Sequence, residues 1–206
     1  MQEIKEGMEK TGIIIDVIDS RSLFQHHTLA EYFVSLWFCD NFQTRQTFVR
    51  DHLFESGFGV VMRMADRILA DKCPLHEGVL NSNTRHVAKL LKRKGSINQK
   101  DCGGKTPLHI AVSGKSPELI TLLLEHEADI RSVDTLLWLS PVEYAIRKGN
   151  WHVLILLMEK RPEIRKQVLN EVNPDCTEYN APALRAAARY GHNDLLQCLI
   201  SRRNCV

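Results

Sequence analysis

Residues 101 to 133 read DCGGKTPLHIAVSGKSPELITLLLEHEADIRSV, and this stretch decides the fold. Its parts predict a turn followed by two short antiparallel helices. Gly103 and Gly104 supply the turn. Thr106 can cap a helix with its hydroxyl, and Pro107 takes the first helical position, where a missing N–H costs nothing. Leu108 and Ala111 make one apolar side of that helix. Ser116-Pro117 repeats the arrangement for a second helix, whose buried stripe is Leu119, Ile120, Leu123 and Leu124.

The stretch recurs along the chain. Cys73-Pro74-Leu75-His76 stands 33 residues before Thr106-Pro107-Leu108-His109. Val87, Leu90, Leu91 and Ile97 fall in step with Ile120, Leu123, Leu124 and Ile130, and Asn83 can cap where Ser116 does. A third copy begins at Asp134, with Ser140-Pro141-Val142-Glu143 arriving one residue late. Ser140 and Glu143 form a capping box, so the helix start survives the change of letters. Val153, Leu154, Leu156, Leu157 and Met158 supply its second helix. A weaker fourth copy runs from Ala183 to Ile200, after an enlarged connection. Self-similarity at such a period marks a stack of repeats, none of which buries its apolar face alone.

The motif TPLHIA at this period resembles the ankyrin repeat, over about two thirds of the chain. The resemblance implies a mostly α solenoid with repeats at about 68–100, 101–133, 134–167 and 175–206. Residues 1–66 form a separate segment in this reading. It also implies that a protein partner binds through the finger-like turns and the concave face of the first helices. Thr106, Pro107, Leu108, His109 and Ala111 are then scaffold, as are Pro74, Leu75, His76, Ser140 and Pro141. His76 is expected to bond backbone between adjacent repeats.

The first third has a different pattern. Gly12 to Ile18 reads as a strand, Asp19 to Ser22 as a turn, and Leu23 to His26 as a return strand. Thr28 caps a helix carrying Leu29, Tyr32, Phe33, Leu36 and Trp37. Further helix is expected from Thr44 to Glu55 and, after a break at Gly57-Phe58-Gly59, from Val60 to Leu69. Phe24, His26, Thr28, Glu31, Tyr32 and Phe33 resemble a segment found downstream of NACHT-type nucleotide-binding modules. That likeness implies a winged-helix-like hairpin and an alternative role, as the regulatory part of a STAND-type NTPase whose nucleotide-binding module lies outside this chain.

Composition narrows the function. The chain is 44% hydrophobic and 25% charged, as a globular protein is, and its net charge of +2 points to neither nucleic acid nor an anionic membrane. Apolar runs such as VLILLM are too short to span a bilayer, and MQEIKEGMEK lacks the apolar core of a signal peptide. Six cysteines without paired spacing suit a reducing, cytoplasmic compartment.

Stretches that resemble catalytic or ligand motifs are incomplete. Gly104-Lys105-Thr106 looks like the end of a P-loop, but Gln99 stands where that motif needs glycine. Cys73-x-x-His76 has ligand spacing without a second pair. His26 and His27 near Glu31 read as structural, and Lys89, Lys92, Arg93 and Lys94 as a solvated helix face. Leu29 to Phe38 is acidic and aromatic, which is wrong for a DNA-recognition helix. The expectation is therefore a protein with no catalytic, cofactor or metal residues and no small-molecule substrate.

One finger departs from its neighbours. Where the second copy has Cys102 to Lys105, the third has Leu136-Leu137-Trp138-Leu139. Four apolar residues on an exposed turn would make a partner-binding patch. Leu195, Leu196, Leu199 and Ile200 keep an interior pattern near the end, so the array is expected to have continued in a longer protein.

Overall fold

The computed structural model describes residues 14–18, 21–24, 27–41, 59–92, 96–162, 188–189, 191–193 and 196–197. Strands β1 (Ile14–Ile18) and β2 (Arg21–Phe24) pair as an antiparallel hairpin, with Ile18 opposite Arg21 and an irregularity between Ile14 and Asp16. Helix α1 (His27–Asn41) follows and packs on α2 (Gly59–Leu69). Ser35 on α1 donates its hydroxyl to the Val61 carbonyl on α2 at 3.0 Å. The expected helix from Thr44 to Glu55 lies outside the described residues.

Three helix pairs come next: α3 (Pro74–Leu80) with α4 (Thr84–Lys92), α5 (Pro107–Ser113) with α6 (Pro117–Glu125), and α7 (Pro141–Arg147) with α8 (Trp151–Lys160). The first helices stack on one another in one row and the second helices in another. Each pair closes through the same turn. Ser82, Lys115 and Gly149 hold φ of 53, 56 and 63° and donate their N–H groups to Val79, Val112 and Ile146. Asn83, Ser116 and Asn150, one residue on, donate to Gly78, Ala111 and Ala145. The same hydrogen bonds recurring in three places are the structural counterpart of the sequence period.

Helix starts follow the sequence signals with three differences, the first being that Thr28, expected as a cap, lies inside α1, which begins at His27. Prolines open α3, α5, α6 and α7, and Ser140 with Glu143 forms the expected capping box. Asn83 accepts the His86 N–H at 3.0 Å, as expected of a cap. Ser116 makes no cap bond, so Pro117 opens α6 without a side-chain acceptor. At α5 the cap is shared, because the His109 imidazole takes the Thr106 N–H and the Thr106 hydroxyl meets the same ring nitrogen.

One continuous core joins the pairs. It contains Leu75, Val79, Leu108, Leu119, Leu123, Val142, Tyr144 and Leu154, and it takes in Phe38 of α1 and Met62 of α2. The expected boundary after residue 66 falls inside α2, which is buried through Val61, Met62, Ala65, Asp66 and Leu69. Of the expected fourth repeat the structure describes only a few residues. There His192 pairs its Nε2 with the Arg147 carbonyl at 2.9 Å.

Candidate protein-interaction surface

The fingers are built on aspartates. Asp101 Oδ1 accepts the Gly103 and Lys105 N–H groups, both at 2.9 Å, while the Asp101 N–H donates to the Lys105 carbonyl. Gly104 sits at φ 76° in this turn, and a Cβ there would lie 2.5 Å from the Thr135 nitrogen of the next finger. Only glycine permits that approach. The next finger repeats the design with one more residue. The Asp134 N–H donates to the Leu139 carbonyl, and Asp134 Oδ1 accepts the Leu137 N–H at 2.6 Å. Asp134 Oδ2 takes the buried Tyr144 hydroxyl.

This inserted residue corrects the expected four-residue apolar surface. Leu136, Leu137 and Leu139 are buried at 0, 2 and 0% exposure, and only Trp138 is open, at 60%. The extra residue is absorbed by Trp138 itself, which adopts φ 56°. The left-handed backbone at Trp138 leaves the three leucines in the core and the indole outside it.

The finger before it hides a charge. Lys105 is 1% exposed and pairs with the carboxylate of Asp66 on α2, with the Tyr144 ring 5.2 Å from its ammonium. Burial is the largest single influence and would lower the Lys105 pKa, but the combined attraction of Asp66, with its hydrogen bond, Asp134 and Asp101 raises it and holds the ammonium charged. The residues that looked like the end of a P-loop are therefore closed inside the stack, with no lysine left to meet a phosphate. Burial lifts Asp101 to about 6 against its backbone hydrogen bonds and Lys105, and one of its oxygens lacks a partner.

The histidines link the repeats. His76 Nε2 lies 2.9 Å from the Lys105 carbonyl and His109 Nε2 lies 3.0 Å from the Leu139 carbonyl, as the inter-repeat reading of His76 anticipates. A carbonyl only accepts, so Nε2 donates in both. His109 Nδ1 accepts from Thr106, which makes the ring neutral, and burial lowers its pKa to about 3. His76 is lowered too, chiefly by burial. Its Nδ1 has no partner, because Cys73 replaces the threonine that would supply a hydroxyl. Among the described residues no three His, Cys, Asp or Glu side chains gather as a metal would need.

The structure brings Thr106, Pro107, Leu108, His109, Ala111, Leu75, His76, Ser140 and Pro141 together as buried scaffold, and leaves Pro74 exposed. Sequence reasoning missed Asp66, Asp134 and Tyr144 and the buried role of Lys105. One signal was present, since Asp101 and Asp134 open successive repeats 33 residues apart. No helix among the described residues is long and apolar enough to cross a membrane.

The family model for ankyrin repeats matches residues 51–134 and 75–167, in three copies. An ankyrin repeat domain-containing protein 13C-A of Xenopus laevis is 36% identical over 101 residues, which is 49% of this chain and 19% of that protein. Its human counterpart 13C is 34% identical over the same length, 18% of that protein. Inversin of Gallus gallus is 40% identical over 70 residues, 34% of this chain and 6% of that protein. The chain thus spans under a fifth of the length of these curated relatives. The family match starts at residue 51, so the likeness of Phe24 to Phe33 to the segment after NACHT modules gains nothing from it.

Proposed function

The chain belongs to the ankyrin-repeat family, and from that premise we propose that it is a non-catalytic protein-binding module, a scaffold or adaptor acting inside the cell. The repeats imply protein–protein interaction, since a stack of this kind exposes side chains on turns and helices whose identity can vary while the core stays the same. The observation that carries the reading to a place is Trp138, 60% exposed and held on a frame of buried leucines. Tryptophan is over-represented among residues that dominate binding energy, and an indole this exposed has no packing role to explain it. Cys39, Cys73 and Cys102 are free thiols, which supports a reducing compartment.

The test is comparative capture and affinity measurement. The chain and its Trp138→Ser variant are immobilised side by side, retained proteins are identified, and the Kd of each purified partner is measured on both. A partner bound saturably by the chain and about tenfold or more weaker on the variant supports the reading. Equal affinity would move the site off this finger. Substrate turnover by the purified chain would contradict a non-catalytic role.

A further inference from the structure

A groove of about 510 Å³ lies away from the fingers, bounded by α2, by the C-terminal ends of α3, α5 and α7 with the turns that follow them, and by His192. Its walls are of two kinds. Leu80 is a half-buried apolar side chain above the closed core residues Val79, Ile110 and Ala111, whereas the exposed Arg63 and Lys115 and the half-buried Lys148 bring three cations to the same space. Asp66 also borders the groove, but its carboxylate is engaged by Lys105, so that pair contributes little net charge. Among the described residues none of the three cations has an acidic partner. The Ser113 hydroxyl lines the groove too, buried and without a hydrogen-bond partner.

A lysine after a helix C-terminus has an ordinary explanation, because it complements the last carbonyls. That accounts for Lys115 and Lys148, which follow α5 and α7, while Arg63 in the middle of α2 is an exposed side chain at the groove's edge. The cations also feel one another. Burial, together with Lys105, Lys115 and Arg63, brings the Lys148 ammonium down to about 8 against the pull of Asp66. Three cations gathered at one groove without an acidic counterpart are an arrangement that an anion would relieve.

We propose that this groove receives an aspartate or glutamate side chain carried on an apolar segment of a protein partner. Charge complementarity selects the carboxylate, with Arg63 and Lys148 as its partners. Leu80 and the alkyl stems of the lysines offer apolar contact that a peptide can use and a free inorganic anion cannot. The inference rests on the chain being a protein-binding module, and it names a chemistry for a second contact besides Trp138.

The test uses the full chain and a phage-displayed library of random linear peptides. Selected peptides are synthesised and their affinities measured on four proteins: the chain, Arg63→Gln/Lys148→Gln, Lys89→Gln/Lys92→Gln and Trp138→Ala. The second pair removes the same charge from exposed positions on α4. Thermal unfolding verifies that each variant is folded. Enrichment of Asp or Glu beside apolar residues, with affinity reduced about tenfold or more on the groove variant and unchanged on the α4 variant, supports the proposal. Peptides without acidic preference overturn it, as do acidic peptides that lose affinity equally on both charge variants. Peptides without acidic preference that fail only on Trp138→Ala overturn the groove and leave the binding-module reading standing. A selection yielding no saturable peptide counts against both.

Discussion

The finger at Asp101 to Lys105 and the finger at Asp134 to Leu139 solve one problem with opposite chemistry. Both begin with an aspartate that collects backbone N–H groups, and both end on a carbonyl that accepts the N–H of a histidine or of that aspartate. The first fills its interior with a charged pair, Lys105 and Asp66. The second fills the equivalent space with Leu136, Leu137 and Leu139 and turns its extra residue, Trp138, to solvent. The backbone frame is the constant, and the interior can be ionic or apolar as long as a buried charge finds its counter-charge. An insertion that the frame cannot absorb inside becomes surface, and here that surface is an indole.

The largest test of the comparison removes one member of the charged pair. Lys105→Ala strands the Asp66 carboxylate in the core and is expected to cost about 3–5 kcal/mol, read as a lower urea midpoint. Pairing Lys105→Met with Asp66→Leu should recover most of that loss, making the first finger apolar like the second. A double variant as unstable as the single one would mean that the two interiors are not interchangeable.

Glycine is the next distinction between the fingers. Gly104→Ala places a Cβ against the Thr135 backbone at φ 76° and is expected to cost about 2 kcal/mol by equilibrium unfolding. An unchanged midpoint would show that the two fingers are less closely docked than their geometry implies.

Acid should act through the buried histidines that tie the fingers to the helices. His109 has a folded pKa of about 3, well below its unfolded value, so its contribution is lost as pH falls through the unfolded value. His76 shifts in the same direction. Asp101, raised to about 6, acts oppositely, favouring the fold as it protonates below that pH. Two groups outweigh one, and going from about pH 7.5 to about 5.5 should lower stability by on the order of 1 kcal/mol, measured by urea unfolding at each pH. A midpoint that rises on acidification would contradict the neutral, buried rings.

A smaller effect is a gain. Cys73→Thr supplies the hydroxyl that His76 Nδ1 lacks and so copies the Thr106–His109 arrangement one repeat earlier. Stability should rise by about 1 kcal/mol, seen as a higher melting temperature. The smallest change is expected at the indole. Trp138→Gly relieves a left-handed backbone but loosens the unfolded chain, leaving stability within about 0.5 kcal/mol of the parent in the same unfolding measurement. A larger loss would show that the indole is part of the frame rather than its exposed product.

The sequence alone determined the repeat. TPLH and its variants, the prolines at helix starts, the Ser140–Glu143 box and the leucine stripes are local signals, because caps, turns and helical faces depend on residues only a few positions apart. The hairpin and the α1 helix were legible for the same reason. The tertiary structure alone decided what each finger hides and shows. Lys105 meets Asp66 from 39 residues away, and Trp138 turns outward because its neighbours are claimed by a core that later helices complete. The groove with Arg63, Lys115 and Lys148 was equally invisible, since it draws its cations from three separate elements. Burial is a property of the whole stack, so a string of four apolar letters could mark the turn and could not say which one of them faces water.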